Sequence, residues 1–129
     1  MNGEIKFRVY DEDLKKMRYL NNSHDFICFD EKGNGYYHNM QTGLGERFSD
    51  LMQYVGLKDK NGVEIYEGDL LKSYYDKPGI VKWNDEIGAF QIKGIPSQTM
   101  KRCHEMEVIG NIYENEENGR YHISIFSLR

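Results

Sequence analysis

The stretch YVGLKDKNGVEIYEGD, residues 54–69, holds three glycines among few apolar side chains. Its Asn61-Gly62 pair is a strong short-range hairpin signal, because both central residues of a type I′ turn take positive φ, which Asn and Gly tolerate. Gly56 ends one apolar run, and Gly68 with Asp69 reverses the chain again before LLKSYY. Between these turns Val63 and Ile65 alternate with Glu64 and Tyr66, the pattern of a short strand. Three reversals so close together leave room only for short strands, the material of a small closed barrel.

The following residues continue the pattern. LLKSYY, IVKW and AFQIK read as strands separated by turns at DKPG and NDEIG. GIPSQTMKRCHE is irregular or weakly helical, and MEVIGNIY reads as a closing strand in which Gly110 marks a bulge, with Ile112 and Tyr113 still in the strand. Upstream, Ile5, Phe7 and Val9 alternate with Lys6, Arg8 and Tyr10, which predicts a half-buried strand; an acidic turn at Asp11, Glu12 and Asp13 makes it a hairpin. DFICFD, EKGNG and YYHNM predict a second hairpin. QTGLGERFSD, residues 41–50, loses the alternation and reads as a linker, after which LMQY enters the next module extended. The tail YHISIFSL is a further strand with apolar groups on both faces, expected to be covered by its own sheet or by another subunit. The expected class is mainly β, with an N-terminal β-hairpin portion over 1–50, a small barrel over 51–115 and a C-terminal strand or tail over 116–129.

Composition agrees. Thirteen Gly against two Pro favour turns over helices, and ten Tyr with six Phe supply large side chains to an otherwise thin core. A formal charge of −4 argues against a domain that holds nucleic acid mainly by neutralising phosphates, and the charge is too evenly spread for a DNA mimic. The chain shows no apolar run of membrane-spanning length and no signal-peptide core in MNGEIKFRVYDEDL, so a soluble intracellular protein is expected. Cys28 and Cys103 are far apart in sequence and are not expected to form a disulfide.

LMQYVGLKDKNGVEIYEGDLL, GIVKWNDEIGAFQI, EVIGNIYEN and the opening IKFRVYDEDLKKM occur in an order and spacing that closely resemble the YopX-type proteins of bacteriophages and prophages of Gram-positive bacteria. The resemblance spans about residues 4–116. It implies an N-terminal β portion, a C-terminal barrel of SH3-like type, a phage origin and hence a place in the host bacterial cytoplasm. It brings no biochemical activity that can be transferred to named residues.

Reactive constellations are sparse. His24, His38, His104 and His122 with the two cysteines lack metal-ligand spacing, and adjacency on a strand would send Cys103 and His104 to opposite faces. No metal or other cofactor is expected, nor a Cys–His nucleophile. Glu64, Glu67 and Asp69 are close enough in sequence to suggest acid and base work, and Asp69 with a histidine would make a small hydrolase, but Asp69 after a turn glycine is better read as an acceptor for backbone N–H groups.

The aromatic residues offer more. Alternation puts Trp83 on the same side as Val81, which favours a core position; the rival reading makes Tyr74, Tyr75, Lys82 and Trp83 a contact face ringed by Lys72, Lys77, Lys93, Lys101 and Arg102. Asn61, Gly62, Gly68, Asp69 and Gly110 are expected to be structural turns. The expectation is a non-enzymatic binding module that contacts proteins of host or phage, with self-association included and no membrane; a single-stranded nucleic-acid binder is the alternative.

Overall fold

In the computed structural model, the described residues are 4–20, 25–33, 35–39, 48–73, 77–94 and 100–117. They are mainly β: ten strands form three antiparallel sheets, one of them a curled half-barrel, with little helix. The chain divides into two compact units, Glu4–Gln53 and the part from Tyr54 onward. Most of the 41–50 segment expected to be a linker, the 121–128 run expected to be a strand, and Tyr74 and Tyr75 lie outside the described residues.

In the first unit β1 (Phe7–Asp11) and β2 (Lys16–Tyr19) form the expected hairpin, with Asp11 opposite Lys16. The acidic turn organises itself. The Asp11 carboxylate accepts the N–H groups of Asp13 and Leu14 at 3.0 Å each, so the turn donors are satisfied locally. β1 is not half-buried: Arg8, Val9, Tyr10 and Asp11 are all buried, while Ile5, expected inside, lies before the strand and is 77% exposed. β3 (Asp25–Phe29) and β4 (Gly35–Asn39) form the second hairpin. Tyr37 of β4 is buried, hydrogen-bonds Asp25 through its hydroxyl, and meets Phe48 edge-on at 4.7 Å. Ser49 ties the following segment to β1, its Oγ accepting from Tyr10 N–H at 2.8 Å and its own N–H donating to the Tyr10 carbonyl at 2.9 Å. β5 (Met52–Lys58) is extended as expected, and its first two residues pair with β1.

The second unit continues β5 from Tyr54, which pairs with Tyr66 of β6 (Glu64–Tyr66). Gly56 does not end the strand. It takes φ 88° inside it, and the register slips between Tyr54 and Lys58, a bulge that bends the strand. β7 (Asp69–Lys72), β8 (Gly79–Asn84), β9 (Ala89–Lys93) and β10 (Glu107–Asn111) lie in the order β10-β7-β8-β9. A second register shift, between Val108 and Gly110, places the expected bulge at Gly110. Ile65, Leu71, Val81 and Ile92 pack with Met100, Cys103 and Met106 of the 3₁₀ segment Met100–Glu105 and its exit, while Leu70 and Ile80 form a second cluster with Ile109 and Ile112. Adjacent residues of β7 and β8 thus enter different clusters, which explains why these strands read LL and IV rather than alternating. Tyr66, which alternates with Ile65 along β6, is buried as Ile65 is.

Two expectations fail for local reasons. Ile112 and Tyr113 do not extend the strand but open α1 (Ile112–Glu117). Asn111 caps that helix, its Oδ1 accepting from Tyr113 N–H at 3.1 Å and Glu114 N–H at 2.9 Å. Nor is the Asn61-Gly62 turn of type I′. Among described residues other than glycine only Lys15 has positive φ, so Asn61 does not. The turn closes by Gly62 N–H to the Asp59 carbonyl at 3.0 Å, with Gly62 at φ 82° after it. The Asp59 side chain directs the chain along this path.

Candidate functional site

Asp59 is buried, and its carboxylate joins two segments far apart in sequence. Oδ1 accepts from Asn61 N–H at 2.8 Å and Val63 N–H at 2.9 Å, and Oδ2 accepts from Val108 N–H at 2.9 Å. Beside it, Lys60 N–H donates to the Met106 carbonyl at 2.9 Å. Burial alone would raise the Asp59 pKa, but the three backbone donors, with Lys60 nearby, outweigh it and hold the carboxyl below its ordinary value. The group is therefore an ionised anchor.

Cys103 lies under the same turn, its thiol 3.9 Å from the Lys58 carbonyl. Burial pushes its pKa up and the Asp59 charge adds to this, so it is kept a neutral thiol, the opposite of an activated nucleophile. It sits in a 3₁₀ segment, not on a strand, with His104 exposed beside it. Asp69 is buried after Gly68, and its Oδ2 accepts Tyr66 N–H at 2.8 Å. Its carboxylate thus braces the β6–β7 turn, as expected of an acid that follows a turn glycine. Among the described residues no three His, Cys, Asp or Glu side chains gather as metal ligands would, and no helix is long and apolar enough to cross a membrane.

The β8–β9 hairpin carries an exposed aromatic side chain beside a groove. Trp83, expected in the core with Val81, is 48% exposed while Val81 is buried. Trp83 lies on the Val81 side of β8 but at the rim of the core, opposite Phe90, which is itself only partly buried against the core cluster. Its ring is nevertheless fixed: it meets its cross-strand partner Phe90 at 5.1 Å and 76°, and its indole N–H donates to Asp85 at 2.6 Å. Alongside lies an open groove of ≈ 420 Å³ lined by Lys82, Trp83, Asn84, Asp85, Glu86, Gln91 and Lys93. Asn84 and Gln91 hydrogen-bond side chain to side chain across the hairpin, and Asn84 also accepts Glu86 N–H at 2.9 Å.

Lys82, Trp83 and Lys93 all line this groove. Arg102 is engaged with Glu105 at 2.6 Å, an exposed pair, and the ammonium of Lys72 donates to the Ser73 carbonyl at 3.1 Å. Two lysines and two carboxylates line the groove, so its formal charge balances. Asn84, Asp85, Phe90 and Gln91 were not singled out together from the sequence. Pairing outward from the NDEIG turn would have found them, because that turn sets Trp83 opposite Phe90 and Lys82 opposite Gln91.

Comparison with known proteins bears on this architecture. The chain is similar in structure to protein EF1440 from Enterococcus faecalis, with 26% identity, 91% of this chain and 99% of that one covered, and a TM-score of 0.57. It is also similar to YopX from Bacillus subtilis, at 20% identity over 88% of this chain and 94% of that one with a TM-score of 0.50, a likeness that speaks for the fold alone. No curated protein sequence matches. The family model described as YopX protein matches residues 6–118, and on that span, nearly the whole chain, the protein belongs to the YopX family.

Proposed function

We propose that this chain is a phage-encoded, non-enzymatic binding module whose C-terminal unit is an SH3-like small barrel and whose contact surface is the β8–β9 hairpin. The observation that carries this reading is Trp83. A large aromatic side chain is held half-exposed, with its ring oriented by Phe90 and Asp85, beside a groove of mixed polar character. A pre-oriented aromatic ring loses little freedom on binding, and such residues dominate the energetics of protein interfaces. The phage setting rests on the family resemblance, and the host bacterial cytoplasm on the phage setting. The partner is a protein of host or phage, further copies of the chain included.

The rival reading, a single-stranded nucleic-acid binder, draws on Lys82 and Lys93 near the Trp83 ring. Asp85 and Glu86 in the same groove and the net charge of −4 oppose it. Because Trp83 is the single tryptophan, its fluorescence reports on this surface without labelling.

The test has two arms. A single-stranded oligonucleotide at low salt is expected to leave the emission unchanged; quenching that weakens as salt rises would instead support the rival. Tagged protein from phage-infected cells is expected to retain a protein partner, and Trp83→Ala to weaken that complex by about 2 kcal/mol or more. Undiminished capture by the Ala variant would place the contact surface elsewhere.

A further inference from the structure

The charges of the β8–β9 groove are arranged in sequence along it. The register sets Ile80 opposite Lys93, Lys82 opposite Gln91 and Asn84 opposite Ala89, so Lys93, Lys82, Gln91 and Asn84 share one face of the hairpin. The two lysines occupy the end nearer the core, and Asp85 and Glu86 lie in the turn at the far end. The Asn84–Gln91 amide pair stands between them. At about 3.3 Å per residue, the run from the Ile80–Lys93 level to Asn84 spans about 13 Å, the length of roughly four residues of extended chain.

We propose that this groove binds an extended segment of a partner protein in one polarity, with an acidic side chain against Lys82 and Lys93 and a basic side chain, three or four residues away, against Asp85 and Glu86. The inference rests on the reading of this hairpin as a protein-binding surface, and it adds the chemistry of the occupant. Charge complementarity selects that occupant. A nucleic-acid strand, negative along its whole length, is matched at the lysine end and repelled at the turn. A uniformly basic peptide meets the reverse mismatch. A segment carrying one charge of each sign satisfies both ends, while Trp83 stands with Phe90 on the other face of the hairpin and senses the turn through its indole bond to Asp85.

Selection of short random peptides against the intact chain, followed by titration of each selected peptide on Trp83 fluorescence, tests this. The expected peptides carry an acidic residue three or four positions from a basic one. They are expected to bind the Lys82→Glu/Lys93→Glu double variant about tenfold or more weakly, and exchange of the peptide's acidic residue for lysine is expected to restore binding to that variant, which also shows that the variant is folded. Peptides that quench Trp83 without this charge pattern, or that bind the double variant undiminished, would overturn the polarity and leave the protein-binding reading standing. Quenching by a single-stranded oligonucleotide and by no selected peptide would overturn both.

Discussion

Asp59 shows how one side chain can set a turn and join distant strands. Its carboxylate gathers N–H groups from Asn61 and Val63 on one side and Val108 on the other, so both the path of the turn and its attachment to β10 depend on it. Asp59→Asn puts an amide N–H₂ where one of these donors needs an acceptor, and a cost of about 2–3 kcal/mol at neutral pH is expected. The sign of the pH effect follows from the direction of the shift. The folded-state pKa lies below the ordinary value of 3.8, so the stabilisation is fully present above that value and is lost as pH falls through the lower, folded one. Urea unfolding of wild type and variant should therefore show a gap that is wide at neutral pH and narrows at the most acid pH where the fold persists. A gap that stays constant would mean that ionised Asp59 is not the source. The role was not legible in the sequence, where Asp59 is one polar residue among DKNG: Asn61-Gly62 carries the stronger local signal, and Val108 is 49 residues away.

At the scale of the element, the hairpins were legible, while the order of strands in each sheet and the ends of the strands were not. Turn chemistry marks where a chain reverses, so the hairpins at 11–16, 29–35 and 84–89 lie where Asp, Asn and Gly place them. Burial is set by what packs on each face, which no local pattern records: Arg8 alternates like a surface residue yet is buried. The C-terminal end of β10 is a different failure. VIGNIY reads as one apolar run, but Asn111 with Glu114 three residues on is a helix-start signature in the same letters. The Asn111 side chain reaches Glu114 as well, at 3.2 Å, so the cap closes on both residues. Asn111→Ala should lower stability by about 1 kcal/mol, with faster amide exchange at Tyr113 and Glu114, whereas Asn111→Asp keeps the accepting oxygen and should stay near wild type. Equal losses in the two variants in a thermal melt would argue against the cap.

At the scale of the whole molecule, the second unit combines local and distant pairing. β7, β8 and β9 bring Leu71, Val81 and Ile92 together within one short stretch of chain, while the Asp59 turn and β10, which flank that stretch, meet across a separation of 49 residues. The sequence shows the meander because its turns are local; the closure it leaves unstated, since backbone N–H groups such as that of Val108 look the same in every residue. The same division orders the folding reaction. Closing a long loop costs entropy before its contacts repay it, so the β7–β9 core is expected to form in the transition state and the Asp59 closure after it. In denaturant-jump kinetics, Val81→Ala should then act chiefly by slowing folding, and Asp59→Asn chiefly by speeding unfolding. Both substitutions cost more than the ~0.6 kcal/mol below which such ratios lose meaning. A reversed pattern, with Asp59→Asn slowing folding and Val81→Ala leaving it untouched, would show that the molecule closes first and fills its core afterwards.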